Sequence, residues 1–592
     1  MLVYGDREKK LPAAGKLAGI RAALARLSGM RPGIESHGEL VAAFIEAGEL
    51  AQGLADREFH AAGRDVLSPV QDEANRLTAI LARSILASWN SGFTQMPAPD
   101  DDEFQAKQLA GLSGEITCRQ AEGFAFYALY PEAYAAAAAR SGLGGDTRIV
   151  GIRSIGAALA ALAQAALGAD RFFTVRPTGH PFKRELSLDD ALRDAMLAPP
   201  DPPFAIVDEG PGLSGSSFGA VLDRLLQHGV GEDRIHLFPS HGGDPGAQAG
   251  PGLRQRWPRL RRHFGTFEEV ILEARSPTQR MAGWFADLIG PARSEPLDIA
   301  GGRWRALQYG GEAEWPPAIA HQERRKYLVE TGSGRWLLKF AGLGLEGRRK
   351  AERAQALSAQ GFTPRFAGWR HGFSAERWLE GGVPLVSSQV DSFALAESVG
   401  RYLGFRARSF PASRDRGASL PDLLVMARHN AEEVLGSRTA SAFARWSATS
   451  LAALGSRARP VEVDGRMHAW EWLVTPDGRV LKTDAVDHHA AHDLVGCQEV
   501  AWDVAGAEFE LALTTEALDH LCAVVMLTSG LHVDRELLSF LKPCYLSFQL
   551  GVFTMAADAA PDEPERLRIL RHVERYKAEL RRVLLAGDAG PP

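Results

Sequence analysis

Only four cysteines occur in 592 residues, and Cys118, Cys497, Cys522 and Cys544 show neither disulfide nor metal-ligand spacing. This usage suits a reducing cytoplasm and excludes a disulfide-stapled secreted scaffold. No run approaches the roughly 20 consecutive apolar residues of a membrane span, and Met1–Lys10 has no apolar signal-peptide core. Positive charge is not in excess: 67 Lys and Arg against 73 Asp and Glu leave a net charge of -6. That balance gives no general attraction to nucleic acid or anionic membrane. Covalent catalysis has no signature either, because Ser214-Gly-Ser-Ser217 is not a Gly-x-Ser-x-Gly elbow. What remains is an ordinary globular composition, 45% hydrophobic and 24% charged, long enough for two or three domains. The expectation is a cytoplasmic protein whose partners are small molecules.

One stretch carries more chemistry than any other. Phe204-Ala-Ile-Val207 is a short apolar strand, Asp208 and Glu209 stand at its end, and Gly210 to Ser217 form a loop of small residues. A helical pattern runs from Phe218 to about His228. In an open α/β sheet, ligands bind beyond the carboxyl ends of the strands. A small-residue loop entering a helix presents free N–H groups and hydroxyls to a phosphate. The acidic pair suits Mg²⁺ or the hydroxyls of a ribose.

This stretch resembles the phosphoribosyl-pyrophosphate motif of type I phosphoribosyltransferases. The resemblance implies that Asp208 and Glu209 contact the ribose and a metal, and that Gly212, Ser214, Gly215, Ser216 and Ser217 hold the 5′-phosphate. Thr147–Ile152 reads as an earlier strand leading through Arg153, Ser154 and Gly156 into a helix over Ala157–Leu167. By the same resemblance these three residues bind pyrophosphate. Arg171–Val175 is a further strand, followed by a basic loop with Arg176, His180, Lys183 and Arg184. Arg176 and Lys183 are the implied catalytic cations, because breaking the C1′–O bond of phosphoribosyl pyrophosphate needs Mg²⁺ and positive charge rather than a nucleophile. Arg234–Pro239 and Glu268–Leu272 read as later strands, and Ser240–Gly246 as a loop at the same sheet edge.

Beyond Gly290–Pro296 the character changes. Arg325–Glu330 and Arg335–Phe340 predict a hairpin around Thr331-Gly-Ser-Gly334, and Glu346–Gln360 a helix. Arg365–Arg370 and Phe373–Trp378 predict two more strands before the loop Leu379–Leu385. This half resembles the aminoglycoside-phosphotransferase branch of the protein-kinase-like folds. The resemblance implies Lys339 at the nucleotide phosphates, Glu352 (or Glu346) as its ion-pair partner, and Trp378 with Glu380 in the hinge beside adenine. His468 falls in the expected catalytic loop, Trp470 takes the place of its aspartate, and Glu471 is an unconventional alternative acid. Asp484 ends a strand where a metal-binding aspartate is expected, and Asp503 opens a structural helix. Asp487–Asp493 reads as a polar loop after Asp484 rather than a metal site, and Pro564–Leu585 as an amphipathic terminal helix.

The fold class expected is α/β: a helical extension or hood over residues 1-130, a parallel-sheet phosphoribosyltransferase-like domain over 131-295, and an α+β bilobal kinase-like domain over 296-592. The expected function is Mg²⁺-dependent phosphoribosyl transfer by a glycosyltransferase, with ATP a ligand of the second half. Two rivals stand beside it: a non-catalytic sensor of nucleotide and ribose phosphate, and a small-molecule phosphotransferase with the second half as the enzyme.

Overall fold

The computed structural model describes residues 8–97, 109, 111–198, 201–319, 322–489 and 495–586. Most of the Met96–Glu103 loop and the second half of Asp487–Asp493 lie outside the described residues. Among the described residues, no helix is long and apolar enough to cross a membrane.

Three long helices open the chain: α1 (Ala13–Leu27), α2 (Ile34–Ala62) and α3 (Pro69–Asn90). Helix α3 starts where Ser68 and Pro69 predict it, with Ser68 Oγ accepting from the N–H groups of Val70 and Gln71. The extension is not wholly helical, since Glu8–Pro12 pairs antiparallel with Glu115–Arg119. Helix α4 (Pro131–Arg140) then leads into a five-stranded sheet.

That sheet contains β1 (Arg148–Ile152), β2 (Phe172–Val175), β3 (Phe204–Val207), β4 (Ile235–Phe238) and β5 (Arg261–Arg262), in the order β2-β1-β3-β4-β5 with every pair parallel. Strands β2, β3 and β4 are buried along their whole length, which is why β3 reads as an unbroken apolar run and β2 and β4 carry a single polar residue each, Thr174 and His236, rather than an alternation. Helix α5 (Gly156–Leu167) packs directly on β1. A Cβ at Gly151 would stand 2.3 Å from the Gly156 carbonyl oxygen, so glycine sets this approach. Helix α6 (Ser216–Gln227) follows the acidic pair. One expected strand is absent: Glu268–Leu272 forms a π-helical turn. A short apolar run does not distinguish a strand from a buried helical turn by periodicity alone.

A second five-stranded sheet is antiparallel. It has β6 (Leu297–Asp298), β7 (Lys326–Thr331), β8 (Gly334–Phe340), β9 (Phe366–Arg370) and β10 (Phe373–Arg377), in the order β6-β7-β8-β10-β9. Helix α7 (Gly344–Ala359) lies between β8 and β9 in the chain. Beyond it come α8 (Ser392–Ser409), α9 (Leu420–Leu435), the hairpin strands β11 (Trp472–Val474) and β12 (Val480–Lys482), and helices α10 (Ala501–Glu510), α11 (Thr515–Ser529), α12 (Arg535–Asp558) and α13 (Glu563–Ala586).

The apolar cores do not follow the two sheets one to one. Leu40 and Phe44 of α2, Tyr134 of α4 and Ile149 of β1 share a single buried cluster with Leu338 of β8 and Phe373 of β10. The carboxy-terminal helices build a separate core around Trp502, Tyr545 and Tyr576.

Candidate functional sites

Two cavities gather the chemically loaded residues. The smaller, about 450 Å³, lies between the antiparallel sheet and the helical half. Strand β8 carries Lys339 into it, and the segment after β12 brings Asp484, Asp487 and His488. Lys339 Nζ donates to Asp484 Oδ1 at 2.5 Å and stands 4.0 Å from Asp487 Oδ1. Burial opposes the charge on Lys339, but Asp484 and Asp487 outweigh it and hold the ammonium well above its ordinary range. The same attraction holds the carboxyls of Asp484 and Asp487 well below theirs, against the cost of burial.

Beneath this pair lies a second layer of charge. Lys482 is fully buried, donates to Glu471 Oε2 at 2.5 Å and to the Asp484 carbonyl, and stands 3.4 Å from Asp464 Oδ1. The backbone around Asp464 is pinned by Asp503, whose carboxylate accepts from the N–H groups of Asp464 at 2.7 Å and Gly465 at 2.8 Å. Arg406 of α8 donates to the carbonyls of Glu462, Val463 and Ala485, so one guanidinium fixes both loops that border the cavity. Aromatic walls come from Trp304, Trp378, Trp470 and Phe553.

Several expected residues land elsewhere. Glu352 is exposed and does not face Lys339, and Glu346 pairs with Lys9 and Arg349. The inward face of α7 instead carries Lys350 and Arg353. Lys350 Nζ lies 3.5 Å from Asp487 Oδ2, and burial lowers its pKa to about 8 despite that carboxylate. Glu380 is exposed beside Arg335, so Trp378 alone of the expected hinge pair lines the cavity. His468 also lines it, but its Nε2 is hydrogen-bonded to Tyr576 Oη at 3.1 Å and its ring stacks on Trp470. Glu376 of β10 was not anticipated. Burial, reinforced by Asp484 and Asp487 and opposed by Lys339, pushes its carboxyl up to about 7.

The larger cavity, about 800 Å³, opens at the carboxyl ends of the parallel strands. Its order β2-β1-β3 places a topological switch point between β1 and β3, the position where such sheets bind ligands. Arg153, Ser154, Arg176, Asp208, Glu209, Gly212 and Ser217 all line it, together with Arg184, Ser240 and His241. Burial pushes the Asp208 carboxyl up to about 7, against Arg184, Arg176 and the hydrogen bond from the Glu209 N–H.

The two predicted arginines are not free-standing phosphate ligands, however. Arg153 donates to Asp56 and Asp65, and Arg176 donates to Asp56 through its side chain and to Asp65 through its backbone. These acids belong to α2 and the segment after it, and sequence spacing gave no hint of them. Ser214 and Ser216 donate to the Pro181 carbonyl, tying the loop to the basic hairpin Thr178–Glu185. Gly156 is packed under Val207, Gly215 has a left-handed backbone at the start of α6, and Lys183 points to solvent.

No protein-family model matches the sequence, and the curated proteins give no match. Solved structures do. Choline kinase LicA from Streptococcus pneumoniae is 15% identical, with a TM-score of 0.29 over 43% of this chain and 89% of its own. A spectinomycin phosphotransferase in complex with ADP and spectinomycin is 11% identical, with a TM-score of 0.33 over 52% of this chain and 97% of its own. A glucosamine kinase in complex with glucosamine, ADP and inorganic phosphate is 19% identical, with a TM-score of 0.26 over 50% of this chain and 84% of its own. All three are kinases or phosphotransferases. On that ground the expectation of a glycosyltransferase of the phosphoribosyltransferase type is corrected, and the parallel sheet keeps only its description as such.

Proposed function

We propose that the chain is a nucleotide-dependent phosphotransferase acting on a small hydroxylated molecule in the cavity around Lys339. The observation that carries this reading is the Lys339–Asp484 pair at 2.5 Å with Asp487 beside it. A lysine on a sheet facing aspartates across a cleft is the arrangement phosphoryl transfer uses to hold triphosphate and metal. Asp484 and Asp487 each offer a carboxylate oxygen and His488 a ring nitrogen, all within 4.8 Å of one another, and the two carboxylates suit Mg²⁺. When bound there, Mg²⁺ would neutralise charge developing on the transferred phosphoryl group. Lys339 would then exchange Asp484 for nucleotide phosphates, and Trp378 would border the base.

Glu471 is the carboxylate we assign to accept the substrate hydroxyl proton. It lines the cavity, and Lys482 fixes its orientation. The test is calorimetric titration of ATP with Mg²⁺, paired with ADP release across a panel of small alcohols. Wild type should bind and turn over, Lys339→Met should bind ATP far more weakly, and Glu471→Gln should bind without turnover. Wild-type binding with no turnover would favour the nucleotide-sensor reading. Turnover by Glu471→Gln at the wild-type rate would remove Glu471 from the chemistry.

We infer a second ligand site in the sheet-edge cavity, for a phosphorylated sugar such as a ribose phosphate. What favours it is the convergence of Asp208, Glu209, Gly212, Ser217 and Arg184 at the switch point. Asp208 and Glu209 would take the hydroxyls or a metal, and the loop entering α6 the phosphate. Titration of ribose 5-phosphate should show binding that Asp208→Asn with Glu209→Gln removes and Lys339→Met leaves intact. No binding to the wild type would overturn it.

A further inference from the structure

Behind Tyr130, which lines the larger cavity, His37, Glu132 and His371 meet in a pocket closed to solvent, each side chain 0% exposed. His37 belongs to the first turn of α2, Glu132 to the first turn of α4, and His371 to the turn between β9 and β10. His37 Nε2 lies 2.8 Å from Glu132 Oε1, and His371 Nε2 lies 3.3 Å from the same oxygen. Rings of Trp89, Phe93, Tyr130 and Trp284 surround the two imidazoles.

One feature is not accounted for by a simple hydrogen-bonded trio. Glu132 Oε2 and both ring nitrogens of His371 are buried without a hydrogen-bond partner, where a buried polar atom normally has one. His371 and Gly372, with φ +41° and +95°, form the two-residue turn of the β9–β10 hairpin, which has left-handed backbone at both positions. The His371 carbonyl is anchored by Tyr130 Oη at 2.9 Å.

We propose that His37, Glu132 and His371 form a structural binding site for a divalent transition metal of the Zn²⁺ class. Two imidazole nitrogens and a carboxylate are the donor set such an ion takes, and the unpartnered Glu132 Oε2 supplies a fourth donor by bidentate binding. Zinc bonds of about 2.0–2.1 Å put neighbouring donors of a tetrahedral site roughly 3.3 Å apart. The donor atoms here all lie within 4.8 Å of one another, so a small side-chain adjustment seats the ion. Ser88 Oγ, 2.9 Å from His37 Nδ1, orients the first ligand from behind, as outer-shell partners do. The ion would tie α2 and α4 to the turn that leads into β10, and would balance a carboxylate that otherwise has only imidazoles for company.

The experiment uses the full-length chain, stripped with a chelator and reconstituted with Co²⁺, which reports four-coordinate nitrogen–oxygen sites by intense visible absorption. Wild type should show that absorption at one equivalent, with a melting temperature raised by Zn²⁺ or Co²⁺. His371→Gln should lose both effects, and Asp484→Asn should keep both. If His371→Gln does not fold, the wild type and Asp484→Asn decide the matter. No uptake of either ion, a weak octahedral spectrum, or a signal abolished by Asp484→Asn would overturn the proposal.

Discussion

Lys339 Nζ and Asp484 Oδ1 face each other at 2.5 Å, although 145 positions separate them in the chain. One comes from the antiparallel sheet and the other from the segment after β12, so the pair spans the cleft it helps to define. Replacing the ammonium with a methyl-capped chain, Lys339→Met, removes one charged hydrogen bond to a bound phosphate. At about 1.5–3 kcal/mol for such a bond, nucleotide affinity should fall by roughly 10- to 100-fold, read by calorimetry. The same change leaves Asp484 and Asp487 to repel each other, so the melting temperature should fall as well.

Asp503 tests the scaffold without touching the cavity. Its two bonds to the N–H groups of Asp464 and Gly465 hold the loop that leads to Glu471. Asp503→Ala should cost about 3 kcal/mol or more in denaturant unfolding, since charged hydrogen bonds contribute about 1.5–3 kcal/mol each. Turnover should fall more steeply than nucleotide affinity, because Lys339 sits on the opposite sheet.

A pH dependence follows from Asp208. Its folded-state pKa, about 7, lies above the ordinary carboxylate value, so the folded protein prefers the protonated form. The stability this contributes is complete below about pH 4 and is lost as pH rises through 7. Asp208→Asn keeps a neutral group at every pH. Relative to wild type, its melting temperature should therefore climb between pH 5 and pH 8, while divalent-ion binding in the sheet-edge cavity disappears. A difference that stays flat across this window would refute the assignment.

At Gly151 a methyl group has nowhere to go, with the Gly156 carbonyl at 2.3 Å from the ideal Cβ position. Overpacking of this kind costs about 1–3 kcal/mol. Gly151→Ala should lower stability by that amount in urea titration, and it should shift Ser154 at the mouth of the larger cavity enough to weaken sugar-phosphate binding.

The sheet-edge cavity was legible because its parts are local: a strand, two acids and a small-residue loop are contiguous from Phe204 to Ser217. The partners of Arg153 and Arg176 were not, because Asp56 and Asp65 arrive from α2 and the segment after it, 88 to 120 residues away. In the other half, Lys339 and Asp484 could be placed from strand patterns, whereas Glu352 was misplaced by helical phase. Gly347, Lys350, Ala354 and Leu357 make the buried stripe of α7, and Glu352 falls between its turns. A 3.6-residue count along Gly344–Ala359 would have named Lys350 as the inward charge, had a buried lysine been admitted to the inner face. Glu380 failed for another reason. The chain turns at Gly381 with φ +73°, directing the preceding side chain to solvent. The run Glu268–Leu272 was misread because five residues carry too little periodicity to separate a strand from a π-turn.

The buried cluster that joins Phe44 and Tyr134 to Leu338 and Phe373 has a further consequence. Cutting the chain between the two sheets would open a continuous apolar surface on each fragment, so neither piece inherits a finished interior. The amino-terminal half and the antiparallel sheet should therefore melt as one calorimetric unit. A ligand that tightens either cavity raises the transition temperature of both, and the two sites share a single thermodynamic fate without any contact between their ligands.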